Sequence, residues 1–132
     1  MADSTLSVLE KALDLRMQAH AVHSSNIANA NVPGFKAKKI DFEEKLNEAV
    51  TSLEKNTPLI SKENEASANV ENIKADVYED PYAKLGPDGN TVIREKEMTE
   101  LSKNYLEYQS AIQMLNKKLA MAKLVLGEGG RP

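Results

Sequence analysis

Cysteine is absent from this 132-residue chain. That excludes a disulfide framework, a thiol nucleophile and any cysteine-type zinc site. Tryptophan is also absent and phenylalanine occurs only twice, so a core has to be built from aliphatic side chains. The 41% hydrophobic content is enough for one small domain but thinly spread. No run reaches the roughly 18 apolar residues of a membrane span. The opening Met-Ala-Asp-Ser-Thr has no basic region before an apolar one, and Asp3, Glu10, Lys11 and Asp14 interrupt the first turns. No cleavable secretory signal is therefore expected. An excess of one charge is lacking too: 17 Lys and Arg are mixed among 20 Asp and Glu, for a net −3. Lys38-Lys39 and Lys117-Lys118 are isolated pairs, not the clustered basic stripe of a nucleic-acid binder.

What the chain does have is helical periodicity at both ends. Leu6, Leu9, Leu13, Met17, His20, Ser24 and Ile27 recur at steps of three and four, flanked by Val8, Ala12, Leu15, Ala19 and Val22. This predicts a helix over 4–29, capped at Asp3, Ser4 or Thr5, with an apolar face wide enough for more than one neighbour. Its length is about 39 Å. Near the other end, Met98, Leu101, Tyr105, Tyr108, Ile112, Leu115, Leu119, Ala122 and Leu126 form an unbroken heptad seam, widened by Leu106, Met114, Met121 and Val125. Glu95, Glu97 and Glu100 lie early and Lys117, Lys118 and Lys123 late, which suits the helix dipole. Gly127, Gly129 and Gly130 are expected to stop this helix.

The connector is polar. Ile40, Phe42, Leu46, Ala49, Val50 and Leu53 predict a short amphipathic helix after Asp41. Residues 54–76 hold no sustained periodic face and read as loop, or as a segment ordered only in context. Val77 to Tyr82 reads as extended, Gly86-Pro-Asp-Gly-Asn90 as a turn, and Thr91 to Ile93 as a returning strand, giving a short β-hairpin. The expected fold is mainly α: two long terminal amphipathic helices joined by a partly irregular middle. The segments are 1–35 (N-terminal assembly helix and turn), 36–93 (polar middle) and 94–132 (C-terminal heptad helix).

Catalytic and metal chemistry find little to stand on. His20 and His23 share a helix face, but a transition-metal site needs three or four ligands and the nearest carboxylate in sequence is Asp14. Ser24 and Ser25 beside His23 point about 100° apart on a helix and make a badly aimed nucleophile–base pair. No Gly-x-Ser-x-Gly elbow occurs, and no Gly-Lys-Ser/Thr follows the glycine-rich turn. No catalytic, cofactor-binding or metal residue is assigned. Tyr105 and Tyr108 fit the heptad phase as packing residues.

The densest punctuation lies at the end of the first helix. Asn26, Asn29 and Asn31 can each turn an amide onto a nearby backbone group, and Asn31 suits a left-handed cap. Pro33-Gly34 fits the centre of a type II turn, with Gly34 at the position needing positive φ. Val32 is pushed extended by the proline after it. Phe35 returns an apolar contact. The segment sets an exit angle, which matters most when many copies repeat it.

Ser25-Asn-Ile-Ala-Asn-Ala-Asn-Val-Pro-Gly-Phe-Lys-Ala closely resembles the N-terminal signature of the bacterial flagellar rod and hook (axial) proteins. That signature usually reads Ser-Asn-Ile-Ala-Asn, two residues, Thr-Pro-Gly, aromatic, Lys; here Val32 replaces the Thr. Phe35-Lys-Ala-Lys-Lys-Ile-Asp-Phe-Glu, Asp88-Gly-Asn-Thr-Val92, Glu97 to Gln109 and Leu115-Asn-Lys-Lys resemble the proximal-rod branch, with an altered lead-in at Ile93-Arg-Glu95.

The resemblance implies a non-enzymatic structural subunit of the basal-body rod, assembling through its terminal helices to transmit torque and line the export channel. It implies no cofactor. The implied partners are further copies of the chain, the adaptor FliE, the inner-membrane ring protein FliF, the rod proteins FlgC, FlgF and FlgG, and the flagellar type III export apparatus. The implied location is the rod within the periplasm, with terminal regions disordered in the free subunit. Family turn residues are Ser25, Asn26, Ile27, Asn29, Asn31, Pro33, Gly34, Phe35 and Lys36. The expected assembly interface is Leu6, Leu9, Leu13, Met17, His20 and Ile27 with Met98, Leu101, Tyr105, Tyr108, Ile112, Leu115, Leu119 and Leu126. Two other readings stay open: a sibling rod protein of the FlgC type, and a soluble four-helix dimer acting as an export chaperone or adaptor.

Overall fold

A computed structural model of the chain describes residues 2–55 and 70–130. Three helices and one small sheet are present among them: α1 (Ala2–Ala28), β1 (Lys38–Asp41), α2 (Glu43–Lys55), β2 (Asp76–Glu79) and α3 (Arg94–Gly130).

Helix α1 contains no Gly or Pro, and strong helix formers carry it for 27 residues. It starts at Ala2, so the cap positions expected at Asp3 to Thr5 fall inside its first turn. Its last turn tightens: the Asn29 N–H donates to both Ser25 O (3.0 Å) and Asn26 O (3.2 Å), and the Ala30 N–H to Ile27 O (3.2 Å). Helix α3 runs for 37 residues, with Glu95 and Glu97 in its first turn. Gly127 and Gly129 do not end it; it continues to Gly130. Glycine keeps the backbone N–H that the helical ladder needs, at a cost of about 1 kcal/mol relative to Ala at each position, so unlike proline it does not by itself break the ladder.

The two long helices pack antiparallel, and α1 also touches α2 and β1. The wide apolar face of α1 is thus divided between neighbours. Its flank, Val8, Leu15 and Ala19, joins Phe42, Leu46, Val70 and Ile73 in one buried cluster, with Ala12, Ile40, Ala49 and Ala75 packed around it. Leu15 is fully buried. The amphipathic helix expected after Asp41 is α2, with Phe42 just ahead of it accepting the Leu46 N–H at 3.0 Å. The stretch 54–76, expected to be loop or ordered only in context, supplies two core residues, Val70 and Ile73, at its end. Its segment 56–69, and the side chain of Leu53, lie outside the described residues.

The expected hairpin between 77–82 and 91–93 does not form. β2 instead pairs antiparallel with β1, in the register Lys38 to Glu79, Lys39 to Tyr78, Ile40 to Val77 and Asp41 to Asp76. Opposite charges reinforce that choice: Lys39 pairs with Asp80 at 3.1 Å and Lys45 with Asp76 at 3.0 Å. The Tyr78 hydroxyl donates to Asp41 Oδ2 at 2.5 Å. An isolated two-stranded ribbon is marginal in water; Ile40 and the adjoining Phe42 tie this one to the core.

Candidate assembly site at the helix junction

Four polar residues are buried among the described residues: Asn26, Asn90, Thr91 and Asn104. Buried polar groups need partners, and the first three build one structure. It joins the C-terminal end of α1 to the N-terminal end of α3.

Asn26, 1% exposed, makes two bonds to one residue. Its Nδ2 donates to the Lys38 carbonyl at 2.8 Å, and its Oδ1 accepts the Lys38 N–H at 3.0 Å. Both main-chain groups of Lys38 thus point away from β2, and the Asn26 amide takes the place of a neighbouring strand on the outer edge of β1. Asn29 Nδ2 donates to the Ser25 carbonyl at 2.8 Å, satisfying an orphan acceptor of the last helical turn.

The turn that follows is closed by the Phe35 N–H donating to Val32 O at 3.2 Å, with Pro33 and Gly34 central and Gly34 at φ +76°. This is the geometry expected of a type II turn. Asn31 differs from expectation: no non-glycine residue among those described has positive φ, so Asn31 is not a left-handed cap. Its Oδ1 instead accepts from the Arg94 guanidinium at 3.2 Å, at the first residue of α3.

The loop before α3 grips this turn. Asn90 Nδ2 lies 2.9, 3.1 and 2.7 Å from the carbonyls of Asn29, Ala30 and Val32, and its Oδ1 accepts the Val92 N–H at 2.7 Å. The Gly34 N–H donates to Asp88 O at 2.9 Å, and the Thr91 N–H to Phe35 O at 3.0 Å. Thr91 Oγ1 accepts the Ala37 N–H at 2.7 Å, and Lys36 Nζ reaches Gly89 O at 3.3 Å. Gly89, at φ +80°, lies against Gly34, whose Cα is 3.5 Å from where a Gly89 side chain would begin. Residues 91–93 are therefore not a strand partner of β2: Thr91 is bonded to Phe35 and Ala37, the Val92 N–H to Asn90 Oδ1, and the Ile93 carbonyl to the Glu97 N–H. Nothing in sequence spacing alone marks Asn90 and Thr91 as partners of that turn.

Two side-chain contacts continue the junction along the helices. His23 Nδ1 lies 2.7 Å from Glu97 Oε2. Farther along, Asn104 Nδ2 donates to the Arg16 carbonyl at 2.8 Å. Arg16 pairs with Glu43 at 3.1 Å and Glu107 at 2.5 Å, and its guanidinium sits 4.9 Å from the Phe42 ring centre. One arginine thus touches residues of all three helical segments.

The expected interface residues divide in two. Leu9 is buried, and Leu6, Leu13, Ile27, Leu101, Tyr108, Ile112 and Leu115 are half-buried. Met17, His20, Met98, Tyr105, Leu119 and Leu126 are exposed. Of the turn residues, Asn26 is buried, Asn29 and Phe35 are half-buried, and Ser25, Asn31, Pro33, Gly34 and Lys36 face solvent. Among the described residues no group of three or more His, Cys, Asp or Glu is placed to hold a metal ion, and no helix is long and apolar enough to cross a membrane.

Residues 6–36 match the family described as Flagella basal body rod protein. This segment is α1 together with the gripped turn. Over nearly the whole chain, the sequence is 35% identical to the flagellar basal body rod protein FlgB of Aeromonas hydrophila, covering 96% of each. It is 30% identical to FlgB of Escherichia coli K12, again over 96% of each, and 30% identical to FlgB of Bacillus subtilis 168 over 95% of each.

Proposed function

The chain belongs to the flagellar basal body rod protein family, in its FlgB branch, and on that premise we propose how it works as a structural rod subunit. The observation that carries this reading is similarity that spans both terminal helices and the junction between them, not the turn motif alone. The subunit's task is mechanical. The junction holds the two helices at one angle in every copy, and the exposed residues Met17, Met98, Tyr105, Leu119 and Leu126 supply the contacts between copies. Apolar surface of this extent on paired helices is stabilising only once a neighbour covers it.

The partners follow the same reading. Copies of the chain pack through the two helices. The ring protein FliF, reached through the adaptor FliE, lies on the proximal side, and the rod proteins FlgC, FlgF and FlgG on the distal side. The subunit is passed by the flagellar type III export apparatus to the rod within the periplasm, where it transmits torque and helps to line the channel. The final turns of α3 gain their packing in that assembly.

The test is genetic and structural. Leu126→Asp alters an exposed side chain and leaves the fold intact, whereas Ile27→Asp and Leu115→Asp alter half-buried ones. All three are expected to abolish rod assembly and swimming while the subunit is still exported. Swimming at the parental rate with Leu126→Asp and Leu115→Asp would contradict the reading.

A further inference from the structure

The loop that follows β2 carries an aromatic side chain held out into solvent. Tyr82 is 91% exposed, yet its main chain is tied down. The Tyr82 N–H donates to Asp80 Oδ1 at 2.9 Å and the Ala83 N–H to Asp80 O at 3.3 Å. The other carboxylate oxygen of Asp80 pairs with Lys39 at 3.1 Å, which anchors the turn to β1. Pro81, between Asp80 and Tyr82, fixes its own φ. Leu85, three positions on, is exposed as well. A tyrosine presented on so constrained a turn has little main-chain order left to lose on burial, and tyrosine is a favoured anchor of protein interfaces.

A complementary surface lies elsewhere on the same chain. A groove of about 270 Å³ between α1 and α3 is lined by Arg16, Met17, His20, Asn104, Tyr105 and Tyr108. Its size suits one large side chain better than a drug-sized ligand, whose sites start at roughly 300 Å³. Most of the lining is aromatic or aliphatic, and one polar group in it is unmet. Asn104 is 5% exposed; its Nδ2 is spent on the Arg16 carbonyl, and its Oδ1 is buried with no hydrogen-bond partner among the described residues. A buried acceptor without a donor is costly. The groove therefore fits a ring that carries a hydrogen-bond donor. The chain has no Trp and four Tyr. The Tyr78 hydroxyl donates to Asp41, and Tyr105 and Tyr108 form the groove itself, which leaves Tyr82.

We propose that Tyr82 of one copy is a knob that inserts into the α1–α3 groove of a second copy, where its hydroxyl donates to Asn104 Oδ1. This deepens the rod-subunit reading and rests on it, but the contact is made by the β2 loop and not by helix on helix. In its own chain Tyr82 stands in solvent, so the groove it enters belongs to another copy. Met17, 60% exposed and unbranched, is the lining side chain that shifts to admit the ring. Knob and groove are different surfaces, so every copy offers one of each and the contact is heterologous.

The absence of native cysteine makes the test direct. Full-length Met17→Cys and Tyr82→Cys chains are expressed together beside the parental chain, so that rods still form, and isolated basal bodies are oxidised. The expected product is a mixed disulfide between the two variants, several-fold more abundant than either self-dimer. Basal bodies that hold both variants and yield only self-dimers, or no dimer, would overturn the proposal. A second measurement needs no crosslink. Tyr82→Ala as the sole copy is expected to keep parental helix content by circular dichroism and to lower the number of rods per cell several-fold, with Tyr82→Phe in between. Parental rod numbers with Tyr82→Ala would also overturn it. Rods that contain the chain but give no mixed disulfide remove this docking mode and leave the rod reading standing; absence of the parental chain from isolated basal bodies removes both.

Discussion

Asn26 holds Lys38 by both of its main-chain polar groups, at 2.8 and 3.0 Å, from a position 1% exposed. The pair is the point where the end of α1 and the start of the sheet become one body. Replacing Asn26 with Ala leaves the part-buried N–H and C=O of Lys38 without their partner, at a cost of about 1–3 kcal/mol. Asn26→Asp keeps the acceptor but sets an anion against the Lys38 carbonyl, and is expected to be at least as damaging. Urea denaturation measures both, and a midpoint within error of the parent for Asn26→Ala would refute the role.

Gly34 offers a test of backbone conformation with little packing to confuse it. At φ +76° it has no neighbouring atom within 4 Å of the point where a methyl group would stand, so Gly34→Ala introduces conformational strain alone. The expected loss is about 1–2 kcal/mol, with Gly34→Asn losing less because Asn tolerates the left-handed region. Equal stability of the Ala and Asn variants would mean that the turn relaxes into another type.

Arg16 joins three helical segments through a side chain that is 15% exposed, and its two carboxylate partners are more open to water. Exposed ion pairs contribute little, so most of its value lies in stacking on Phe42 and in fixing geometry. Arg16→Met is expected to cost about 1–2 kcal/mol. Arg16→Lys should recover only part of that, because an ammonium cannot stack and reach both Glu43 and Glu107. Thermal unfolding of the two variants side by side decides the point.

The sheet carries a pH signature at each end of the scale. Asp80 accepts the Tyr82 N–H and pairs with Lys39, and these hold its carboxyl below the ordinary 3.8. The fold therefore favours the carboxylate: the contribution is full above 3.8 and disappears as pH falls through the lower folded-state value. Tyr78 is shifted the other way, above 10.0, chiefly by its hydrogen bond to Asp41. Its contribution is full below 10.0 and is lost as pH rises through the higher folded-state value. The stability gap between parent and Asp80→Asn should therefore close in acid, and that between parent and Tyr78→Phe in strong base. Gaps that stay constant across pH would contradict both assignments.

Much of this architecture is legible in the residues, and what is not has a physical reason. Periodicity marks α1, α2 and α3 because each buries a face at helical spacing. The turn at 32–35 is legible because Pro33 and Gly34 each restrict one dihedral. The sheet is not, because its partners lie almost forty positions apart and neither strand alternates cleanly. The Gly86 to Asn90 turn favours a local hairpin, but Asn90 and Thr91 spend their polar groups on the turn after α1. Val70 and Ile73 are isolated apolar residues with no period to announce them. Heptad phase places apolar residues on the α3 seam, yet Asn104 is among the deepest side chains on that helix, since a main-chain acceptor on α1 lies opposite it.

The junction's bonds to main-chain atoms have a mechanical result. Because Asn26, Asn90 and Thr91 grip carbonyls and N–H groups, the two long helices resemble a tuning fork whose prongs are welded at the stem and packed side by side beyond it. Twist entering at the tips reaches the stem as shear on several short, parallel bonds, which must yield together rather than one after another. Stiffness is thus concentrated at the junction, and compliance is left at the ends away from it.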